Sequence, residues 1–270
     1  MRGMANTLWR FFLAVVASVC LESTAFATWS VVAVDRTTGR VAIASATCLA
    51  LEEPQSLKSF QAVVVPGVGV AACQALLDAG GTNKDLVLRE LQKRTDPKEI
   101  IRLLHGDSAI EQRQYGIVDL QGRTAGFSGA RTLTVALDRQ GEVPGAGIFY
   151  SIQGNILSKE AVVTNAVKAF VETRGAMTDR VMAALEAGDR DGGDRRCTCE
   201  TPPRANAPCD GKTAHVAYLL MAEKEGAAGE YAMYLSVTPR TTQPSENGNP
   251  VKTLRLRYDA WRRTQPASFR

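Results

Sequence analysis

Thr28-Trp29-Ser30-Val31-Val32-Ala33-Val34-Asp35, Arg36-Thr37-Thr38-Gly39-Arg40 and Val41-Ala42-Ile43-Ala44-Ser45-Ala46-Thr47-Cys48 follow one another without a break. Two β-rich runs flank a turn that ends in glycine, which predicts a β-hairpin. If Asp35 to Arg40 closes the turn, facing positions sum to about 75, so Thr28 stands opposite Thr47 and Ser30 opposite Ser45. A side-chain period of two then puts these four hydroxyl residues on one face, beside Val32 and Ile43. A slip of one residue would send all of them to the other face. Polar hydroxyls at one end of an otherwise apolar face are what a site needs.

Upstream of the hairpin, the apolar run Phe11 to Cys20 is too short to span a bilayer. Arg2 and Arg10 supply a positive n-region, Phe11-Phe12-Leu13-Ala14-Val15-Val16 opens an h-region, and Ala25-Phe26-Ala27 offers the small residues a signal peptidase reads. Residues 1–27 are therefore expected to be a signal peptide, with Thr28 first in an exported, periplasmic or secreted protein that retains no membrane segment. Val19 before Cys20 is larger than the small residue a lipid-attachment site prefers. The whole chain of 270 residues is 45% apolar and 22% charged, the balance of a globular protein rather than a disordered one. Its formal charge of +4 is too weak to argue for a nucleic-acid partner.

Export changes how cysteines read. Cys48, Cys73, Cys197, Cys199 and Cys209 remain after Cys20 leaves, in a compartment where disulfides persist, so one thiol stays over. Cys48 and Cys73 end neighbouring strand runs and are the expected bridge, with Cys209 paired to Cys197 or Cys199. A zinc site from Cys197, Cys199, Cys209 and His215 matches no common ligand spacing, and the Pro/Gly-rich loop between Thr201 and Gly211 suits a disulfide staple better, so no metal is expected.

Downstream, Ala62 to Ala72 contains Pro66-Gly67 and reads as an interrupted strand. Helices are expected over Lys84 to Arg94 and from Asp96-Pro97 to His105. A second hairpin spans Gln114 to Asp119 and Thr124 to Ser128, and a strand runs from Gly147 to Gln153. Ser158 is expected to cap a helix through Val171, and Met177 to Ala187 a helix closed by Gly188. Thr213 to Met221 and Tyr231 to Val237 form a last strand pair. This order suits an α+β domain over 28–238 with helices layered on antiparallel sheets. Residues 239–250 read as a linker, and 251–270 as a basic tail, surface helix or edge strand, packing on or flanking the domain.

The chemistry available is narrow. Among the few histidines, His105 lies at a helix C-terminus and His215 in an apolar strand, where structural roles are commoner than catalytic ones. No Gly-x-Ser-x-Gly elbow, phosphate loop, dinucleotide fingerprint or His-Glu-x-x-His is present. Cleavage before Thr28, however, would give one residue both a hydroxyl nucleophile and an α-amine of reference pKa about 7.7 to 8.0. Gln153-Gly154-Asn155 ends a strand: Gly154 permits close backbone approach, and Asn155 either donates to an oxyanion or caps the turn. Asp194-Arg195-Arg196, after Gly192-Gly193, either grips a substrate carboxylate through a bidentate fork or forms an Asp-Arg pair that holds the loop.

Several of these stretches resemble one known family. Thr28 to Asp35 with the Gly39 turn, Arg113-Gln114-Tyr115-Gly116-Ile117-Val118-Asp119 with Gly122-Arg123, Gln153-Gly154-Asn155-Ile156-Leu157 and Gly192-Gly193-Asp194-Arg195-Arg196 are similar to the motifs of the domain of unknown function 1028 family. That family is placed among the N-terminal nucleophile (Ntn) hydrolases. The resemblance covers about Thr28 to Val237 and implies a four-layer α/β/β/α sandwich with the first processed residue as nucleophile. The chain departs from the family pattern at Ala46, at Cys73, after the last strand at Thr238-Pro239-Arg240-Thr241, and in the insertion-like loop Cys197 to Asp210.

The expectation is an exported amidohydrolase that cleaves a small amide or peptide-like bond without a cofactor. Thr28 is nucleophile and base, Asn155 the oxyanion donor, and Ser30, Ser45, Thr47, Gly154, Asp194 and Arg195 hold substrate. A homo-oligomer is compatible with the sequence. The alternative is a non-catalytic binding protein, or a surface-associated structural protein using the basic tail, on the same fold.

Overall fold

A computed structural model describes residues 25–26 and 28–266. The expected signal peptide lies outside the described residues except for Ala25–Phe26, as does the end of the basic tail.

Eleven strands and six α-helices are present among the described residues. β1 (Ala25–Phe26), β2 (Thr28–Asp35) and β3 (Arg40–Thr47) come first. Helix α1 (Leu57–Gln61) leads into the hairpin of β4 (Ala62–Val65) and β5 (Gly69–Leu76), which is how the interrupted apolar run folds. Helices α2 (Thr82–Gln92) and α3 (Pro97–Leu104) follow, then β6 (Arg113–Asp119), β7 (Thr124–Ser128), β8 (Leu137–Val143) and β9 (Ile148–Asn155). The chain continues through α4 (Ala161–Glu172), α5 (Met177–Arg190), β10 (Val216–Ala222), β11 (Met233–Val237) and α6 (Pro250–Thr264).

The strands form two sheets, antiparallel throughout. One has the order β11-β10-β3-β2-β9-β8, and the other has β1-β5-β6-β7 with β4 also on β5. The register of β2 on β3 is Thr28 with Thr47, Ser30 with Ser45 and Val32 with Ile43, as the turn predicts.

Alternation along β2 and β3 assigns their faces. Val32, Val34 and Ile43 join Val70, Ala72 and Val118 of the other sheet in one apolar cluster. Trp29, Val31, Ala33, Ala42 and Ala44 face a second cluster with α4, α5 and α6. A third cluster lies on the far side of the second sheet, where Ala71, Tyr115 and Ile117 meet Val87 and Leu91 of α2 and Ile100 of α3.

Trp29 anchors the second cluster. Its fully buried indole donates from Nε1 to the Leu185 carbonyl at 3.2 Å. Burial of 150–250 Å² of ring stabilises the fold by about 4–6 kcal/mol. Gly188 does not close α5, which runs on to Arg190. A Cβ there would meet Trp29 Nε1 at 2.7 Å, so the glycine admits the indole instead of ending the helix. Ser158 is not a helix cap either: its hydroxyl donates to the Asp191 carbonyl at 2.7 Å, and α4 begins at Ala161.

Of the two forms considered for the tail, residues 250–264 take the helix, with Val251, Leu254 and Tyr258 buried. Asn249 caps it at Val251 N and donates to both carboxylate oxygens of Asp189 at 3.0 Å. Arg255, Arg257 and Arg262 are salt-bridged to Glu186, Glu246 and Asp179. Much of the tail's positive charge is thus met within the chain.

The expected Cys48–Cys73 bridge is not formed. Cys48 pairs with Cys197, Cys199 with Cys209, and Cys73 is free. Cys73 sits on β5 in the second sheet, opposite Tyr115, whereas Cys48 follows β3 in the first and donates its N–H to Asp194 Oδ2 at 3.0 Å. That bond brings Cys48 to the loop that carries Cys197.

Candidate functional site

Thr28 opens β2 in the middle of its sheet, between Thr47 on one side and Asn155 on the other. Its Oγ1 donates to Thr47 Oγ1 at 3.3 Å. Its carbonyl accepts from Gln74 Nε2 of the opposite sheet at 3.2 Å.

Gln74 belongs to a buried polar network between the sheets. Its Oε1 accepts from Ser30 Oγ at 2.7 Å and Gln61 Nε2 at 2.8 Å, and its Nε2 also donates to Gln114 Oε1 at 2.7 Å. Gln153 Nε2 donates to Ser30 Oγ at 2.6 Å, Gln114 Nε2 to the Gly154 carbonyl at 2.9 Å, and Tyr218 Oη to Gln61 Oε1 at 2.9 Å. Gly116 makes room, because a Cβ there would lie 2.0 Å from Gln153 Oε1. Buried amides are expensive unless bonded, so a network satisfied this way fixes the spacing of the two sheets where Thr28 stands.

Two residues that are not glycine adopt left-handed backbone on either side of this point. Ala75 (φ 76°) follows Gln74, and Ile156 (φ 53°) follows Asn155. Each costs about 1–3 kcal/mol, and such residues cluster at functional sites.

Thr28 lines a pocket together with Leu57, Phe60 and Gln61 around α1 and with Cys73 to Asp78 along and beyond β5. Asn83, Arg113 and Tyr115 line it as well. The pocket therefore joins Thr28 to residues that sequence reading did not assign to a site. The signals available were the Arg113-Gln114-Tyr115 motif and the Cys73-Gln74 pair; neither reveals from sequence that β5 lies against the start of β2.

The other expected site residues are placed differently from one another. Ser30 is in the polar network, and Ser45 Oγ donates to the Trp29 carbonyl at 2.9 Å; both are fully buried and neither lines the pocket. Thr47 and Asn155 flank Thr28, and Gly154 stands opposite Trp29. Asp194 is buried and accepts from Arg196 N at 3.0 Å, Nε at 3.1 Å and Nη2 at 2.9 Å, so its partner is Arg196. Arg195 is exposed. Gly193, with φ 43°, lies under the Trp29 ring, where a Cβ would be 2.6 Å from Cη2. Close packing on the indole accounts for that glycine.

The remaining thiol and the histidines are buried or engaged elsewhere. Burial pushes the Cys73 thiol up to about 12, so it carries almost no thiolate at neutral pH. Burial and the nearby Lys212 charge push the His215 imidazole down to about 4. His215 Nδ1 has no hydrogen-bond partner among the described residues. Cys48, Cys197 and His215 come within 4.8 Å of one another, but the two sulfurs are joined in a disulfide. The His105 ring is 2.9 Å from the Ile101 carbonyl at the end of α3.

Residues 28–201 match the model of the Family of unknown function (DUF1028), and the chain belongs to that family. Its fold is similar to the crystal structure of protein SPO2555 from Silicibacter pomeroyi, a DUF1028 protein. The two share 21% identity with a TM-score of 0.63, over 89% of this chain and 91% of the other. Eukaryotic HslV from Trypanosoma brucei is a more distant likeness, 9% identical with a TM-score of 0.38, over 72% of this chain and 99% of that one. No curated protein matches the sequence.

Proposed function

We propose that this member of the DUF1028 family is an exported Ntn-type hydrolase of a small amide or peptide-like bond, with Thr28 as its processed first residue. The observation that carries the reading is the position of Thr28. It opens a central strand, is fixed through its carbonyl by Gln74, and lines a pocket. The family match also begins at residue 28. The three apolar clusters support a four-layer α/β/β/α order as part of the same reading. Two disulfides fit export, and no described helix is long and apolar enough to cross a membrane.

In the chain before cleavage, Ala25–Phe26 pair with Ala75 and Leu76 of β5, at the pocket rim. Removal of residues 1–27 uncovers that edge and turns the Thr28 amide nitrogen into an amine. Thr28 Oγ attacks the carbonyl carbon of the scissile amide while the α-amine takes its proton. Asn155 and backbone N–H groups steady the oxyanion. The proton passes to the leaving nitrogen as the C–N bond breaks, leaving an acyl ester on Thr28. Water, deprotonated by the same amine, attacks the ester; the acid leaves and the Thr28 hydroxyl is restored.

Intact-mass measurement of the exported protein, paired with turnover by Thr28→Ala, tests the reading. The mass should correspond to a chain that starts at Thr28, and the substitution should lower turnover by at least about a hundredfold. A start at Ala27, or full activity in Thr28→Ala, would overturn it.

A further inference from the structure

The pocket has two chemically different ends. β5 alternates: Gln74 points between the sheets to Thr28, while Cys73 joins the cluster under α2 and α3. On β6, Gln114 likewise points inward, and Tyr115 lies on the Cys73 side. The pocket wraps past this stretch of β5, so Thr28 and Gln74 line it from one side and Tyr115, Arg113 and Asn83 from the other. Leu51, Leu57, Phe60 and Leu76 make much of the remaining wall apolar.

Two donors are left over at the far end. Tyr115 is 1% exposed, and its hydroxyl has no hydrogen-bond partner among the described residues. A phenol buried this way without a partner is costly, and a ligand oxygen that accepted its hydrogen bond would relieve that cost. Arg113 commits Nε to Asp107 at 2.9 Å and Nη1 to the Leu76 carbonyl at 2.7 Å. Its Nη2 has no partner among the described residues.

The acids nearby are already engaged. Asp107 Oδ2 also accepts from Asn83 Nδ2 at 2.6 Å, and Asp78 Oδ2 accepts from the N–H groups of Asn83 at 2.7 Å and Lys84 at 3.3 Å. Lys84 Nζ bonds the Ser59 carbonyl. Asp78 and Asp107 stand against Lys84 and Arg113, so local charge is balanced and hydrogen bonding, more than net charge, decides what enters.

We propose that Tyr115 Oη and Arg113 Nη2 form an acceptor-binding subsite, which selects amides whose short aliphatic acyl chain ends in a terminal oxygen acceptor, a carboxylate or a primary carboxamide. The reacting carbonyl lies at Thr28, the methylenes run along the leucines, and the terminal oxygen takes the two donors. Burial holds the Tyr115 phenol far above its ordinary value, so it remains a donor at any pH the enzyme meets. The assignment of the other end to Thr28 chemistry rests on the hydrolase reading above.

The test uses protein beginning at Thr28 and three five-carbon 4-nitroanilides: of pentanoic acid, of glutaric acid with one free carboxyl, and of the same acid with a terminal carboxamide. At least one acceptor-bearing anilide should exceed the pentanoyl compound about tenfold in kcat/KM, and Tyr115→Phe should remove most of that preference. Whichever of the two is favoured names the acceptor. Arg113→Lys, which keeps a charge for Asp107, should lower the ratio in the same direction. Glutarate, glutaramate and pentanoate binding to Thr28→Ala, followed by calorimetry, supplies a readout independent of turnover. Cleavage without preference, or a preference untouched by Tyr115→Phe, overturns the subsite alone. Binding of glutarate or glutaramate that weakens at least tenfold on adding Tyr115→Phe, without cleavage of any anilide, upholds the subsite and refutes the hydrolase reading. Absence of both cleavage and binding overturns the two together.

Discussion

Gln74 and Thr28 are joined across the two sheets by a side-chain amide on a main-chain carbonyl, 3.2 Å from Nε2 to oxygen. A primary amide has two donors and room for two acceptor bonds, and Gln74 uses all four. Its rigidity is handed to the residue on which the proposed chemistry depends.

Gln74→Glu tests this with almost no change of shape. An ionised carboxylate there would lose both donors and face the Thr28 carbonyl and Gln114 Oε1. The expected cost is about 3 kcal/mol or more, read as a lower urea midpoint at unchanged slope. A variant within about 0.5 kcal/mol of the parent would show that the network does not hold the sheets.

The pH profile of the proposed reaction follows from its base. An α-amine accepts a proton only when neutral, so kcat/KM should rise with pH through an apparent pKa at or below about 7.7 to 8.0. His215, held down at about 4, cannot supply that limb. Thr28→Ser should keep measurable turnover with the same limb, whereas one alanine placed before Thr28 should be as damaging as loss of the hydroxyl. A profile flat from pH 5 to 9 would exclude the amine as base.

The buried His215 also makes stability depend on pH. Its folded value near 4 lies below the ordinary 6.5, so between these limits the unfolded chain takes up a proton that the folded chain refuses. Stability from this group is complete above pH 6.5, falls as pH drops towards 4, and changes no further below. His215→Gln should flatten the melting temperature over that window. An unchanged slope would assign the acid sensitivity to other groups.

Local pattern made much of this fold legible. A turn with one glycine and two alternating runs set the β2–β3 register, and so the place of Thr28 beside Thr47. β8 escaped detection because Leu137-Asp-Arg-Gln-Gly-Glu-Val, an edge strand, has little apolar alternation to show. The pocket escaped for a different reason: Gln74, Arg113 and Tyr115 reach Thr28's vicinity only when two sheets meet, and nothing in their own neighbourhoods encodes that. Asp194 was legible as one member of an Asp-Arg pair, and of the two arginines that follow it Arg196 completes the pair.

Gly188→Ala separates helix propensity from packing. In an exposed helix the change would stabilise by up to about 1 kcal/mol. Here the new methyl meets Trp29 at 2.7 Å, and overpacking of that kind costs about 1–3 kcal/mol. Net destabilisation of about 1–2 kcal/mol is expected in denaturant titration. A gain in stability would mean that the indole moves aside freely.

Thiol titration checks the cysteine pairing. Protein that begins at Thr28, unfolded but unreduced, should show one reactive thiol per chain, assigned by peptide mapping to Cys73. In the native state that thiol should react slowly, because burial keeps it protonated. More than one thiol would contradict the bridges.

The Cys48–Cys197 bond closes a circuit of chain whose ends are separated by 149 in sequence. A protease that nicks any loop within that circuit releases no fragment: both pieces stay covalently tethered and migrate as one species until the sulfurs are reduced. Outside the cell, where reductant is scarce, a clipped molecule would retain its full mass apart from the water added at the cut, so damage and turnover would be separate events.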